Sequence, residues 1–129
     1  MDNSLEIRPS PGRGRGIFAL RNFQAGEEIT LAPVIPLSVD DSFYIRGRSF
    51  SHNLYEWIPL PNEKWTLALV GGIGLFINHS YHPNADYDRD YLRKGIVYYA
   101  IQDISKNEEI FINYNGDPES QEPVCFDVT

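Results

Sequence analysis

Cysteine is almost missing from this chain. Among 129 residues only Cys125 carries a thiol, which excludes an internal disulfide and any zinc site built on cysteines, and fits a reducing compartment. Long apolar runs are missing too. None approaches the roughly 20 residues of a membrane span, and residues 1–8 are polar and acidic where a secretory signal would start basic and turn apolar. The expectation is a soluble protein with no membrane partner and no N-terminal export signal, placed in the cytoplasm, or in a host nucleus if it is viral or an effector. Positive charge is scarce as well: eleven Lys and Arg stand against eighteen Asp and Glu, for a formal net charge of -7. No basic residue follows Lys106, whereas Glu108, Glu109, Asp117, Glu119, Glu122 and Asp127 do. Such a field disfavours direct binding to nucleic acid and favours a basic partner.

What remains is globular in kind. Hydrophobic residues make up 42% and charged residues 22%, far from the composition of disordered chains. The length suits one domain that buries about two-thirds of its unfolded surface. Ten glycines and nine prolines divide the apolar stretches into strand-length pieces. Residues 17–19, 28–32, 95–102 and 108–114, rich in β-branched and aromatic side chains, are expected strands. Residues 62–70 are expected to form a short helix capped by Asn62 and stopped by Gly71 and Gly72, and residues 40–57 show no clean period. A mostly β fold of the α+β kind follows, without internal repeats.

Three segments could carry chemistry. In Gly12-Arg13-Gly14-Arg15-Gly16 the alternating glycines permit positive φ and close approach of a ligand to the backbone. The segment lacks the ending of a phosphate loop, and by itself it reads equally as a plain turn or an RNA contact through Arg13 and Arg15. In Phe76-Ile77-Asn78-His79-Ser80, closed by Pro83 and Asn84, an apolar strand end runs into a polar turn able to hold a polar ligand. His79 and His82, with His52 as a distant third, offer a weak metal reading, since no carboxylate stands at a diagnostic spacing. The alternative is a hydrogen-bonded histidine that pins a loop. In residues 107–116, alternation puts Ile110, Ile112 and Tyr114 on one face and Phe111 and Asn113 on the other, so that Tyr114 ends an apolar stripe, either as a core tyrosine or as a site residue. The paired acids Glu108 and Glu109 read as solvated turn residues.

Taken in order, these segments resemble the SET-domain family of protein lysine methyltransferases, across about residues 7–116. Gly14-Arg15-Gly16 before Ile-Phe-Ala is similar to the family's glycine motif, Asn78-His79-Ser80 with Pro83-Asn84 to its central motif, and Glu108-Glu109-Ile110 through Tyr114 to its tyrosine motif. Gly26-Glu27-Glu28-Ile29 also matches the family's first hairpin. The resemblance implies a single domain, core 7–116 with a closing tail 117–129, made of several small sheets with a knot-like C-terminal threading. It implies S-adenosylmethionine as cofactor, S-adenosylhomocysteine as its product, no metal, and a lysine of a basic protein such as a histone tail as substrate. Carried over residue by residue, Gly14, Arg15, Gly16, Asn78 and His79 become cofactor contacts and Tyr114 the catalytic tyrosine. Tyr55 and Tyr87 become lysine-channel residues, and Ile112 stands where the number of methyl groups added is influenced.

The chain departs from the family in lacking the cysteine cluster that closes the channel in many members. The tail is expected to fold back in its place, with Phe126 near the adenine, or a homodimer to complete each site. Asn107 stands where glycine is usual, and tolerates the same turn. A SET-like module that binds a partner without useful turnover is the alternative to an enzyme.

Overall fold

The computed structural model describes residues 3–46, 53–59 and 64–124. An N-terminal hairpin pairs β1 (Leu5–Ser10) with β2 (Gly14–Ala19), in the register Ser10 opposite Gly14 and Leu5 opposite Ala19. Gly12 and Gly14 both lie at φ 75°, the left-handed conformation that a side chain resists and this turn requires.

The second unit is a five-stranded antiparallel sheet. It comprises β3 (Glu28–Pro36), β4 (Leu54–Glu56), β5 (Leu67–Val70), β7 (Ala85–Asp90) and β8 (Gly95–Ala100), ordered β4-β5-β3-β8-β7. It curls until its two edge strands approach each other. The Arg89 Nε on β7 donates to the Glu56 carbonyl on β4 at 2.6 Å, the rings of Tyr55 and Tyr87 meet edge to face at 4.9 Å, and Trp57 meets Tyr91 at 4.6 Å. Between β3 and β4 runs one short helix, α1 (Val39–Ile45), whose first turn is capped by Ser38 accepting from the Asp41 amide. The Ser38 and Asp41 pair ahead of an aromatic stretch is a capping signal within a segment that had shown no period.

The third unit joins distant motifs. β6 (Asn78–His79) pairs in parallel with β9 (Phe111–Ile112), Asn78 opposite Phe111 and His79 opposite Ile112. Just upstream, the chain also bonds to β2: the Ala19 amide donates to the Glu108 carbonyl and the Ile110 amide to the Ile17 carbonyl. The C-terminal segment therefore binds the first motif on its way in and the central one on its way out. The core that results includes Ile17, Phe23, Ile96, Tyr98, Ile104, Ile110 and Ile112, each almost wholly buried. Among the described residues, no helix is long and apolar enough to cross a membrane.

Two expected elements differ. Where a helix over 62–70 was expected, Leu67–Val70 is a strand held by β3 on one side and β4 on the other, and Asn62 lies outside the described residues. A short continuous apolar run suits a buried strand as well as a buried helix, and here pairing on both edges decides. The strand expected over 108–114 shrinks to Phe111–Ile112 with a single bridge at Glu109. The alternation fails at Asn113, which is buried beside Ile112, because its amide turns inward to donate to the Ser120 carbonyl at 2.8 Å.

Candidate functional site

The glycine loop, the central motif and the tyrosine segment meet in one place. The Asn78 Nδ2 donates both its hydrogens, to the Arg15 carbonyl and to Glu109 Oε2, each at 2.9 Å. The Glu109 carboxylate is gripped on its other oxygen by the Ser10 hydroxyl at 2.6 Å. Glu109 is thus no solvated turn residue, as its sequence context suggested. Its carboxylate lies against Gly16, where an added Cβ would come within 2.2 Å of Oε2. Beside Gly14, by contrast, an added Cβ would meet nothing within 4 Å. With both Nδ2 hydrogens spent, Asn78 keeps its Oδ1 as an acceptor, the group that an ammonium ligand needs. The Arg15 guanidinium lies over the Phe76 ring at 4.9 Å, a cation on an aromatic face.

His79 links this region to Tyr114. Its Nδ1 accepts from the Tyr114 amide at 3.0 Å, which requires the tautomer protonated on Nε2. Burial holds the His79 pKa below the ordinary imidazole value. Because the folded pKa is depressed, this histidine contributes stability that is complete above the unfolded pKa near 6.5 and is lost as pH falls through the folded value. Thermal melts between pH 7.5 and 5 are expected to drop more steeply for the parent protein than for His79→Asn. Equal slopes would remove the histidine as the source.

The Tyr114 hydroxyl donates to the Ile77 carbonyl at 2.6 Å, so the tyrosine is fixed at both its amide and its hydroxyl. It also lines a cavity of about 290 Å³, with Leu54, Tyr55, Glu56, Leu67, Tyr87, Arg89 and Ile112. Burial, the largest influence on each, raises the pKa of Tyr55 and of Tyr87, so both hydroxyls stay neutral at physiological pH. The cavity lies between the two edges of the curled sheet and mixes three tyrosines and three aliphatic residues with Glu56 and Arg89.

The structure therefore brings Arg15 and Gly16 to Asn78 and His79 to Tyr114, and it places Tyr55, Tyr87 and Ile112 around one cavity with Tyr114. Phe126, Cys125 and His52 lie outside the described residues. In the tail, the Glu122 carbonyl accepts from the Tyr81 hydroxyl at 2.9 Å and from the Asn115 side-chain Nδ2 at 2.7 Å. As to a metal, His82 is exposed, and among the described residues no three His, Cys, Asp or Glu side chains form a cluster that could hold one.

Four residues had no site role in the motif reading. Glu109 holds Asn78 and is itself held by Ser10, while Asn84 bridges the Glu109 carbonyl and the Phe111 amide. Tyr98, fully buried, bonds hydroxyl to hydroxyl with Tyr55 at 2.9 Å. For Tyr98 a signal was there: alternation in Gly95–Ala100 puts it on the core face between Ile96 and Ala100.

Comparison with known proteins bears on the family and the fold. The family model described as SET domain matches residues 14–115. A Schizosaccharomyces pombe protein named histone-lysine N-methyltransferase, H3 lysine-37 specific, is 36% identical over 110 residues, which is 85% of this chain and 72% of that protein. A Candida albicans histone-lysine N-methyltransferase, H3 lysine-36 specific, is 49% identical over 89 residues, 61% of this chain but only 10% of its relative. Among solved structures, a Plasmodium falciparum candidate histone methyltransferase has a TM-score of 0.68 at 25% identity, over 88% of this chain and 98% of that one. The Neurospora SET domain protein DIM-5, a histone lysine methyltransferase, has a TM-score of 0.72 over 95% of this chain and 56% of its own, and at 22% identity it attests the fold.

Proposed function

The chain belongs to the SET-domain family, and on that premise we propose that it is a protein-lysine N-methyltransferase that uses S-adenosylmethionine and acts on a basic protein, a histone. The observation that carries the reading is that the three motifs meet around Tyr114, which bonds to His79 through its amide and lines a cavity with Tyr55, Tyr87 and Ile112.

The glycine and Asn-His segments suit the cofactor. Gly14 leaves room for a ligand against the backbone, and Asn78 offers Oδ1 to the ammonium of an amino-acid group. His79 sits beside it, in register with Ile112. When bound, S-adenosylmethionine supplies a methyl group activated on a positively charged sulfur. Gly14, Arg15, Gly16, Asn78 and His79 would hold and orient it, with Tyr114 as the catalytic tyrosine.

The cavity suits the lysine. A lysine amine has an ordinary pKa near 10.4, so its nucleophilic neutral form costs about 4–5 kcal/mol at pH 7. The apolar surfaces of Tyr55, Tyr87, Ile112 and Leu67 in the slot would disfavour the ammonium by desolvation. Holding the amine in line with the methyl group contributes several kcal/mol more, on the order of the usual benefit of fixed orientation. Acidic side chains over the C-terminal fifth steer a basic substrate toward the protein. No general base is required of Glu109, whose carboxylate is committed to Ser10 and Asn78.

The test is transfer of labelled methyl from S-adenosylmethionine to a panel of histones and other basic proteins. Label on a lysine of one substrate is the expected outcome. Absence of label together with no rise in melting temperature on adding S-adenosylhomocysteine would overturn the reading. A rise without any label would leave a peptide-binding module in place of an enzyme.

A further inference from the structure

The Asn78 amide nitrogen has two partners, and both are acceptors. One is the main-chain carbonyl of Arg15 and the other the carboxylate of Glu109, each 2.9 Å from Nδ2, and neither kind of group has a hydrogen to give. The amide can therefore face them in only one way. Its Oδ1 must turn away from both, and among the described residues nothing donates to that oxygen, although Asn78 is no more than half-buried.

The Arg15 carbonyl comes with the backbone of β2, whereas the Glu109 carboxylate arrives on a side chain from the far end of the sequence and has to be held in place. It is held at three points. The main chain is fixed by the bridge to Phe18 and by the Asn84 amide, which donates to the Glu109 carbonyl at 2.8 Å. The buried Ser10 hydroxyl donates to Oε1 at 2.6 Å. Finally, a Cβ on Gly16 would come within 2.2 Å of Oε2, so only glycine admits the carboxylate here. With backbone, one oxygen and surroundings all fixed, the other oxygen is presented to Asn78 at a set position, as a supporting group must be.

We propose that Glu109 is a positioning residue for the cofactor: anchored by Ser10, it fixes the Asn78 amide so that Oδ1 is offered to the ammonium at the amino-acid end of S-adenosylmethionine. Without the carboxylate the amide keeps one anchor, the Arg15 carbonyl, and pivots about it. The inference rests on the reading of Asn78 as a cofactor contact. It gives Glu109 no proton to move and no contact with the reacting atoms.

The experiment is calorimetric binding of two ligands to the full chain, S-adenosylhomocysteine and the same molecule without its α-amino group. The proteins are the parent, Glu109→Ala, Glu109→Gln, Asn78→Ala and the double alanine variant. Glu109→Ala is expected to weaken S-adenosylhomocysteine about tenfold, the scale of one hydrogen bond to a charged group, and to leave the deaminated ligand bound as in the parent. Glu109→Gln should restore most of the loss, because its oxygen can face Asn78 while its nitrogen donates to Ser10. In the Asn78→Ala background, removing the carboxylate should cost nothing further. If Glu109→Ala does not fold, Ser10→Ala should show the same ligand-selective loss at smaller size. Equal losses for both ligands, no loss, a glutamine variant as weak as the alanine, a loss that persists without the Asn78 amide, or a parent that binds both ligands alike would each overturn the proposal and leave the methyltransferase reading intact. A parent that binds neither ligand would overturn both.

Discussion

Tyr114→Phe is expected to reduce methyl transfer by roughly 10²-fold or more, the usual cost of deleting one group aimed at a transition state, while the affinity for S-adenosylhomocysteine stays unchanged. The ring should remain in place. Its amide is held by His79 Nδ1 and its ring lies 5.2 Å from the imidazole, and neither contact involves the hydroxyl. What the variant loses is the hydroxyl oxygen, together with the bond that fixes it to the Ile77 carbonyl. Single-turnover rates separate this loss from product release, and melting curves with S-adenosylhomocysteine report the cofactor side. Full turnover in the variant would strip Tyr114 of its assigned role. Loss of both turnover and cofactor response would mean that the hydroxyl serves the architecture instead.

Gly16→Ala should strike the glycine segment. The new Cβ would lie 2.2 Å from Glu109 Oε2, 2.7 Å from its carboxyl carbon and 2.9 Å from Asn78 Nδ2, distances that no relaxed side chain tolerates. The carboxylate can retreat only by giving up Ser10 or Asn78, and Asn78 only by releasing Arg15. Overpacking of this kind costs about 1–3 kcal/mol of stability, measurable by urea unfolding. Cofactor affinity should fall on the order of tenfold, because a displacement worth 1.4 kcal/mol already does that. Adding Glu109→Ala removes two of the three clashing atoms and frees Asn78 to shift, so the two changes should couple strongly and recover part of the lost stability. If stability fell and cofactor affinity held, Asn78 would have no part in binding.

The contrast between these variants reflects how the site is written in the chain. Residues such as Gly14, Gly16, Asn78, His79 and Tyr114 belong to short segments whose composition is unusual wherever it occurs, and so they could be named without a structure. Glu109 could not be read that way. Two acids before a strand are ordinarily solvated, and only the bridge between Phe18 and Glu109 turns this one inward, onto a serine 99 positions away. Residues 67–70 failed for a related reason: four apolar residues before two glycines hold no period, and their partners, β3 and β4, lie elsewhere in the chain.

By itself the sequence determined the class of fold, the family, the turns that need glycine or Asn107, and the three short motifs that the fold brings together. These are local matters, set by backbone preference, alternation and charge within a few residues. The tertiary structure decided the rest: the edge-to-edge curl that makes a slot from Tyr55, Tyr87 and Ile112, the Ser10–Glu109–Asn78 clamp, and the hydroxyl bond of Tyr98. Each joins residues tens of positions apart, and their meeting depends on how far a sheet twists and where a strand threads, quantities that many side chains set jointly and no single segment encodes.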